Sequence, residues 1–255
     1  MKYIDCKKNI SIRNLKISSA ELISVASETN AYICNLSKIF NDIGFDIFYS
    51  LGQRNISGFI GEIYKNILAQ KHPELSPNPH PDGRPDIIAL DTKESIEYYK
   101  SCFSVVNGRS VPIKELLTPY QFGGIEVKCS IGSSSKKPTQ KYISNHGHSF
   151  NLYDSRVGYL DGITWWAHHS SSTNLLGLYY DYYAPLEGTP QILAGLYAEL
   201  ESSDWNPVSH GKKDHKKTSN TSLNKLGLAK MKSNCMFYVS DDVYICQLKD
   251  LNITL

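Results

Sequence analysis

Several features are missing from this 255-residue chain, and each absence narrows what it can be. No apolar run reaches the roughly 18–20 residues that a membrane helix needs, so no membrane span is expected. The N-terminal MKYIDCKKNISIRNLK is basic but has no apolar signal core, which argues against secretion. The six cysteines, at 6, 34, 102, 129, 235 and 246, contain no CxxC pair. A zinc site of paired cysteines is therefore not supported, and reduced thiols in the cytoplasm are expected. Charge of one sign is also lacking: 27 Lys and Arg face 25 Asp and Glu, for a net +2 that names no partner. There is no internal repeat and no clear linker.

What is present fits one soluble domain of mixed α and β structure. Hydrophobic residues make up 41% and charged residues 20%, enough apolar material for a sizeable core. Ser18 with Glu21 reads as a capping box, and apolar residues from Leu22 to Phe40 recur at helical spacing, with Gly44 as the stop. A second helix is expected at about 57–71. Residues 72–85, HPELSPNPHPDGRP, hold five prolines and one glycine, so a loop is expected there. IIAL and FGGIEVKCS read as strands, with short helices near 93–101 and 112–117. The second half is rich in aromatic and branched residues and reads mainly as β. NCMFYVSDDVYICQLKD is expected to be a hairpin turning at Asp241-Asp242.

The charge is unevenly spread. Residues 210–232 hold seven lysines, two histidines and one acid, and a second basic cluster spans 132–141. Such segments suit either a polyanion or plain solvation.

The chemistry concentrates in two short stretches, GRPDIIAL (83–90) and GGIEVKCS (123–130). Strand residues alternate faces, so Glu126 and Lys128 share one face and Ile125, Val127 and Cys129 the other. A carboxylate and an ammonium inside a buried strand are costly to desolvate unless they face a cleft that holds an ion and a ligand. Asp86 opens the neighbouring strand, directly after Pro85. Pairing the two strands would bring Asp86 and Glu126 together as hard oxygen donors suited to Mg²⁺. Mg²⁺-assisted phosphodiester hydrolysis follows: the ion would activate water and steady the leaving oxygen. Lys128 would orient or help deprotonate that water and offset charge on phosphorus. Asp91 and Asp82 are alternatives to Asp86. The histidines of NHGHS (145–149) and HHS (168–170) do not lay out as an HNH site and read as satisfied or solvent-facing.

Pro85-Asp86, a spacer of 39 residues and Glu126-Val127-Lys128 together resemble the PD-(D/E)xK nuclease superfamily, prominent among type II restriction endonucleases. The resemblance covers about 55–130 and implies a restriction-endonuclease-like core, a mixed central sheet flanked by helices. Within a single domain it implies an N-terminal helical part (about 1–72), the catalytic core, and a mainly β C-terminal part with a basic loop at 210–232. It places catalysis on Asp86, Glu126 and Lys128, with Asp86, Glu126 and Val127 as metal contacts. Some relatives add a helical glutamate, and Glu62 is suitably placed for that, or else pairs with Lys65 or Asn66. On double-stranded DNA, Lys136, Lys137, Lys141, Lys212, Lys213, Lys216 and Lys217 would contact the backbone or base edges. A homodimer and a companion methyltransferase are further implications. A structure-directed repair or recombination nuclease, or a DNA-binding or assembly protein with no metal, are the competing expectations.

Overall fold

The computed structural model describes residues 1–133, 144, 147, 154–168, 173–186, 188–207 and 221–255. The chain opens with three short strands, β1 (Tyr3–Asp5), β2 (Asn9–Ile12) and β3 (Leu15–Ser18); β2 and β3 form a hairpin. The expectation that residues 1–72 are helical therefore fails for the first eighteen. In that stretch Ile10, Ile12, Leu15 and Ile17 are buried while Ser11 and Lys16 are exposed, the period-two pattern of a half-buried strand. The long helix α1 (Ser19–Asp42) follows, with the Ser18/Glu21 capping box in place and Gly44 just beyond its end at φ +75°. A short α2 (Ile47–Ser50) leads into α3 (Gln53–Lys71).

The proline-rich stretch is less irregular than its composition implies. Three of its residues form β4 (Leu75–Pro77), an edge strand, where a proline removes no ladder bond the sheet needs. Then come β5 (Ile87–Ala89), α4 (Lys93–Ser101), a hairpin of β6 (Phe103–Val106) and β7 (Arg109–Pro112), α5 (Lys114–Leu117) and β8 (Gly124–Ser130). The long spacer between Asp86 and Glu126 is thus a folded insertion. The rest comprises β9 (Trp166–Ala167), β10 (Asn174–Tyr183), β11 (Thr189–Glu199), β12 (Thr221–Ser222), α6 (Lys225–Ser233), β13 (Cys235–Val239) and α7 (Asp242–Asp250).

Two expectations for the C-terminal part need correction. The segment 235–250 is a strand and a helix, not a hairpin: the Asp241 carboxylate accepts from the Val243 N–H and caps α7. Tyr244, Gln247, Leu248 and Leu251 then fall on one buried face at helical spacing. The lysine-rich stretch 210–232 is not one loop either. Its second half is β12 and α6, and Lys230 of α6 pairs with Asp204 at 2.6 Å.

Seven strands form a mixed sheet in the order β1-β13-β11-β10-β8-β5-β4. Every neighbouring pair is antiparallel except β10 and β8. One face packs on α1, α3 and the β2–β3 hairpin through Leu22, Ile56, Ile60, Tyr64, Ile125 and Leu176. The other packs on α6 and α7 through Trp165, Leu175, Tyr179, Met231 and Leu248. Each such side chain taken out of water contributes ~1.5–3 kcal/mol. No helix among the described residues is long and apolar enough to cross a membrane. All six cysteines are free thiols.

Candidate active site

The two stretches singled out in the sequence lie side by side. β5 and β8 pair antiparallel, with Ile87 opposite Ile125 and Ile88 opposite Gly124. Gly124 makes this approach possible. Its φ is +151°, and a Cβ there would sit 1.9 Å from the Ile87 carbonyl oxygen. β5 begins at Ile87, so β8 beyond Ile125 has a free edge toward Asp86. The Asp86 carboxylate occupies it, accepting the Val127 backbone N–H on Oδ2 at 3.0 Å. In return Asp86 donates its own N–H to Glu126 Oε2 at 3.2 Å. A strand residue directs its N–H and C=O to the same edge, so the Val127 carbonyl faces this side too. Asn78 holds the approach: its N–H donates to the Asp86 carbonyl, and its amide NH₂ to the carbonyls of Pro85 and Leu117.

Four charges meet here. The Lys128 ammonium lies 2.8 Å from Asp86 Oδ2 and 2.7 Å from Glu126 Oε1. Arg84, unremarked in the sequence, brings its guanidinium to 3.7 Å from each carboxylate. The Glu126 side chain is wholly buried, and its Oε1 is reached by the Lys128 ammonium alone at close range. Burial, and then the Asp86 charge, push the Glu126 carboxyl up from its usual range, against the pull of Lys128 and Arg84. Burial alone would lower the Lys128 amine, but Glu126 and Asp86 outweigh it and the net direction is up. Lys128 is therefore an ammonium at neutral pH in this metal-free arrangement.

Glu62 reaches the same cleft from α3, but its carboxylate is 62% exposed and bonds Lys65 at 2.7 Å. Asn66 donates to the Glu62 backbone carbonyl. The cavity between α3 and β8 is lined by Gly58, Gly61, Glu62, Asp86 and Lys128. Its volume of about 140 Å³ is room for several waters. A larger cleft toward His80 and Arg84 and another toward Arg54 and Trp166 open from it, sharing Lys128. Three neighbouring hollows thus share Lys128, with Lys65 in the first, Lys65 and Arg84 in the second and Arg54 in the third.

The other acidic candidates lie elsewhere. Asp91 accepts the Asn14 N–H and pairs with Arg13 at the β2–β3 turn. Asp82 pairs with Lys114 at the outer rim of the proline-rich loop. His168, set aside in the sequence, is near the cluster. Burial first, then the charges of Arg84 and Lys128, pull its imidazole down to about 4, so it is neutral at physiological pH. No local sequence signal marks it, because strand β9 begins at Trp166, 35 residues of connection after β8 ends at Ser130. Lys136, Lys137, Lys141, Lys212, Lys213, Lys216 and Lys217 lie outside the described residues, as does most of NHGHS.

Among the described residues, no group of three or more His, Cys, Asp and Glu is gathered for a metal. The site nonetheless suits a hard divalent cation. It offers two carboxylates and a backbone carbonyl edge, with Lys128 standing between the carboxylates. Mg²⁺ is commonly held by one or two carboxylates and keeps several waters. Comparison with family models, curated proteins and solved structures gives no match.

Proposed function

We propose that this protein is a Mg²⁺-dependent phosphodiester hydrolase acting on double-stranded DNA, of the type II restriction endonuclease kind. The observation that carries the reading is the Asp86–Glu126–Lys128 cluster at the free edge of β8, with Glu126 wholly buried. Two carboxylates and a lysine brought together out of water are costly to desolvate, which supports a role for them beyond holding the fold.

Asp86 and Glu126, with the Val127 carbonyl, would hold Mg²⁺. The ion's contribution is to activate water and neutralise charge on the phosphate. Lys128, already an ammonium, would orient the attacking water and offset charge at phosphorus. Arg84 and Lys65 would grip the flanking phosphates, Arg84 with its planar fork. The neutral His168 imidazole can accept or donate a hydrogen bond beside the reacting group. A homodimer suits the cutting of two strands, and a separate methyltransferase would protect host DNA.

The test is digestion of unmethylated phage DNA with Mg²⁺ or with EDTA, beside Lys128→Ala. Discrete bands that need Mg²⁺ and vanish in the variant support a site-specific nuclease. A Mg²⁺-dependent smear keeps the hydrolase and removes sequence specificity. Intact DNA throughout, from folded protein, rejects the reading and leaves a non-catalytic DNA-binding protein.

A further inference from the structure

The cleft lined by Arg54 and Lys128 is also lined by an exposed tryptophan. Trp166 is 60% exposed, while its neighbours Trp165 and Ala167 are each 1% exposed. The alternation of strand β9 explains the contrast. Trp165 points into the core and donates its indole N–H to the Leu178 carbonyl at 3.2 Å, which anchors the backbone. Trp166 must then face out. Its cross-strand partner on β12 is Ser222, too small to cover an indole. Trp166 lines the cleft that Lys128 also lines. Two residues on, His168 lies close enough to Asp86, Lys128 and Arg84 to feel their charges. In an extended chain that step is about 6.6 Å, within the reach of a single nucleotide.

From this we infer that Trp166 is a stacking platform for an unpaired base next to the scissile phosphate. The substrate is duplex DNA in which one nucleotide is flipped out of the stack at the cleavage position, which a duplex with a single unpaired base imitates. This rests on the phosphodiesterase reading and names its substrate class. Three observations favour it over an idle surface tryptophan: a buried, hydrogen-bonded neighbour in Trp165, a cross-strand partner as small as Ser222, and a cleft lined by both Trp166 and Lys128 of the charged cluster. An exposed indole in a cationic cleft is what sequence-tolerant base stacking uses.

The experiment reads affinity from the anisotropy of fluorescein-labelled duplexes in EDTA, with tryptophan quenching as a second readout in wild type, so it does not depend on cleavage. Trp165 and Trp205 are buried, which leaves Trp166 as the indole open to a base. Duplexes with and without a single unpaired base are titrated with wild type, Trp166→Ala and Trp166→Phe. The expected result is quenching by the unpaired-base duplex in wild type. Trp166→Ala should bind that duplex roughly 5- to 150-fold more weakly, as loss of one base–aromatic stack implies. Trp166→Phe should recover most of the affinity, and the fully paired duplex should discriminate little between the variants. Equal affinity of wild type and Trp166→Ala for the unpaired-base duplex, or absence of quenching, overturns the inference. Mg²⁺-dependent cleavage by wild type, scored separately, judges the hydrolase reading.

Discussion

Asp86 and Glu126 each bond the other's strand: the Asp86 N–H donates to Glu126 Oε2, and Asp86 Oδ2 accepts the N–H of Val127, the residue after Glu126. Two carboxylates are thereby fixed by backbone rather than by flexible partners. Lys128 bridges them where a divalent cation would otherwise balance their charge. The site is held together by the residues that would do its chemistry, so most substitutions here should change stability and activity together.

Removing the bridge makes this measurable. Lys128→Ala should lower any Mg²⁺-dependent cleavage by at least ~100-fold, the usual loss for an electrostatic stabiliser. At pH 8 it should also destabilise the metal-free fold by about 3 kcal/mol, because Glu126 is left buried and charged. At pH 5 the penalty should shrink, since Glu126 without Lys128 takes up a proton more readily. Urea unfolding at both pH values checks this; an equal penalty at the two would count against a charged Glu126.

Metal and proton should compete for Glu126. Its carboxyl is raised by burial and by Asp86, so the folded state holds the proton to higher pH than the unfolded chain does. The sign follows: this group's stabilising contribution is present below the ordinary glutamate range and is lost as pH rises through the folded value. A cation that binds the ionised form should restore it. The rise in melting temperature on adding Mg²⁺ should therefore be larger at pH 8 than at pH 5. The acid limb of the pH–rate profile should move down as Mg²⁺ increases.

Gly124 offers a test of architecture without touching any charge. Gly124→Ala drives a methyl group into the Ile87 carbonyl and strains the backbone. It should cost on the order of 3 kcal/mol or prevent folding, with strain and lost β5–β8 pairing both contributing. Gly123→Ala, at φ +72° with nothing within 4 Å, should cost only ~1–2 kcal/mol for its left-handed backbone. Thermal melts of the pair distinguish the two effects.

Gly58 lies in the interior of α3, beside the cavity, with nothing within 4 Å of an added Cβ. Gly58→Ala should stabilise the protein by about 0.5–1 kcal/mol, as glycine is a poor helix former. Gly58→Leu should reduce cleavage by filling the cavity while leaving the melting temperature at or above wild type. Unchanged activity in that variant would mean the cavity takes no part.

Glu62 separates two roles. If its exposed carboxylate only pairs with Lys65, Glu62→Gln should change cleavage by less than about 5-fold, since such surface pairs contribute ~0–1 kcal/mol. A loss of ~100-fold or more would make it a working member of the site.

The local parts of this site were legible in the sequence because they depend on near neighbours. Proline before Asp86, alternation in GGIEVKCS, the Ser18/Glu21 box and the apolar periods of α1 and α3 are all short-range rules. The pairing of β5 with β8 followed from asking where two buried charges could find each other. The errors came where local signals conflict with context. Alternating apolar residues put β1–β3 ahead of α1, although basic residues dominate that stretch. The stretch YVSDDVYICQL satisfies both a strand pattern and a helix pattern until Asp241 caps it.

Arg84, His168 and Trp166 were set only by the tertiary structure, because their relation to Asp86 arises from strand order. β9 is delivered to β8 across a long connection, and no spacing rule encodes where it lands. The sequence by itself determined which charged residues stood out: Glu126 and Lys128 inside a strand and Asp86 just ahead of its neighbour. Only the tertiary structure decided that they meet at a free strand edge, which backbone donors anchor each of them, and which histidine and tryptophan face them. Short-range periodicity governs the first, and the second is set by packing between segments far apart in the chain.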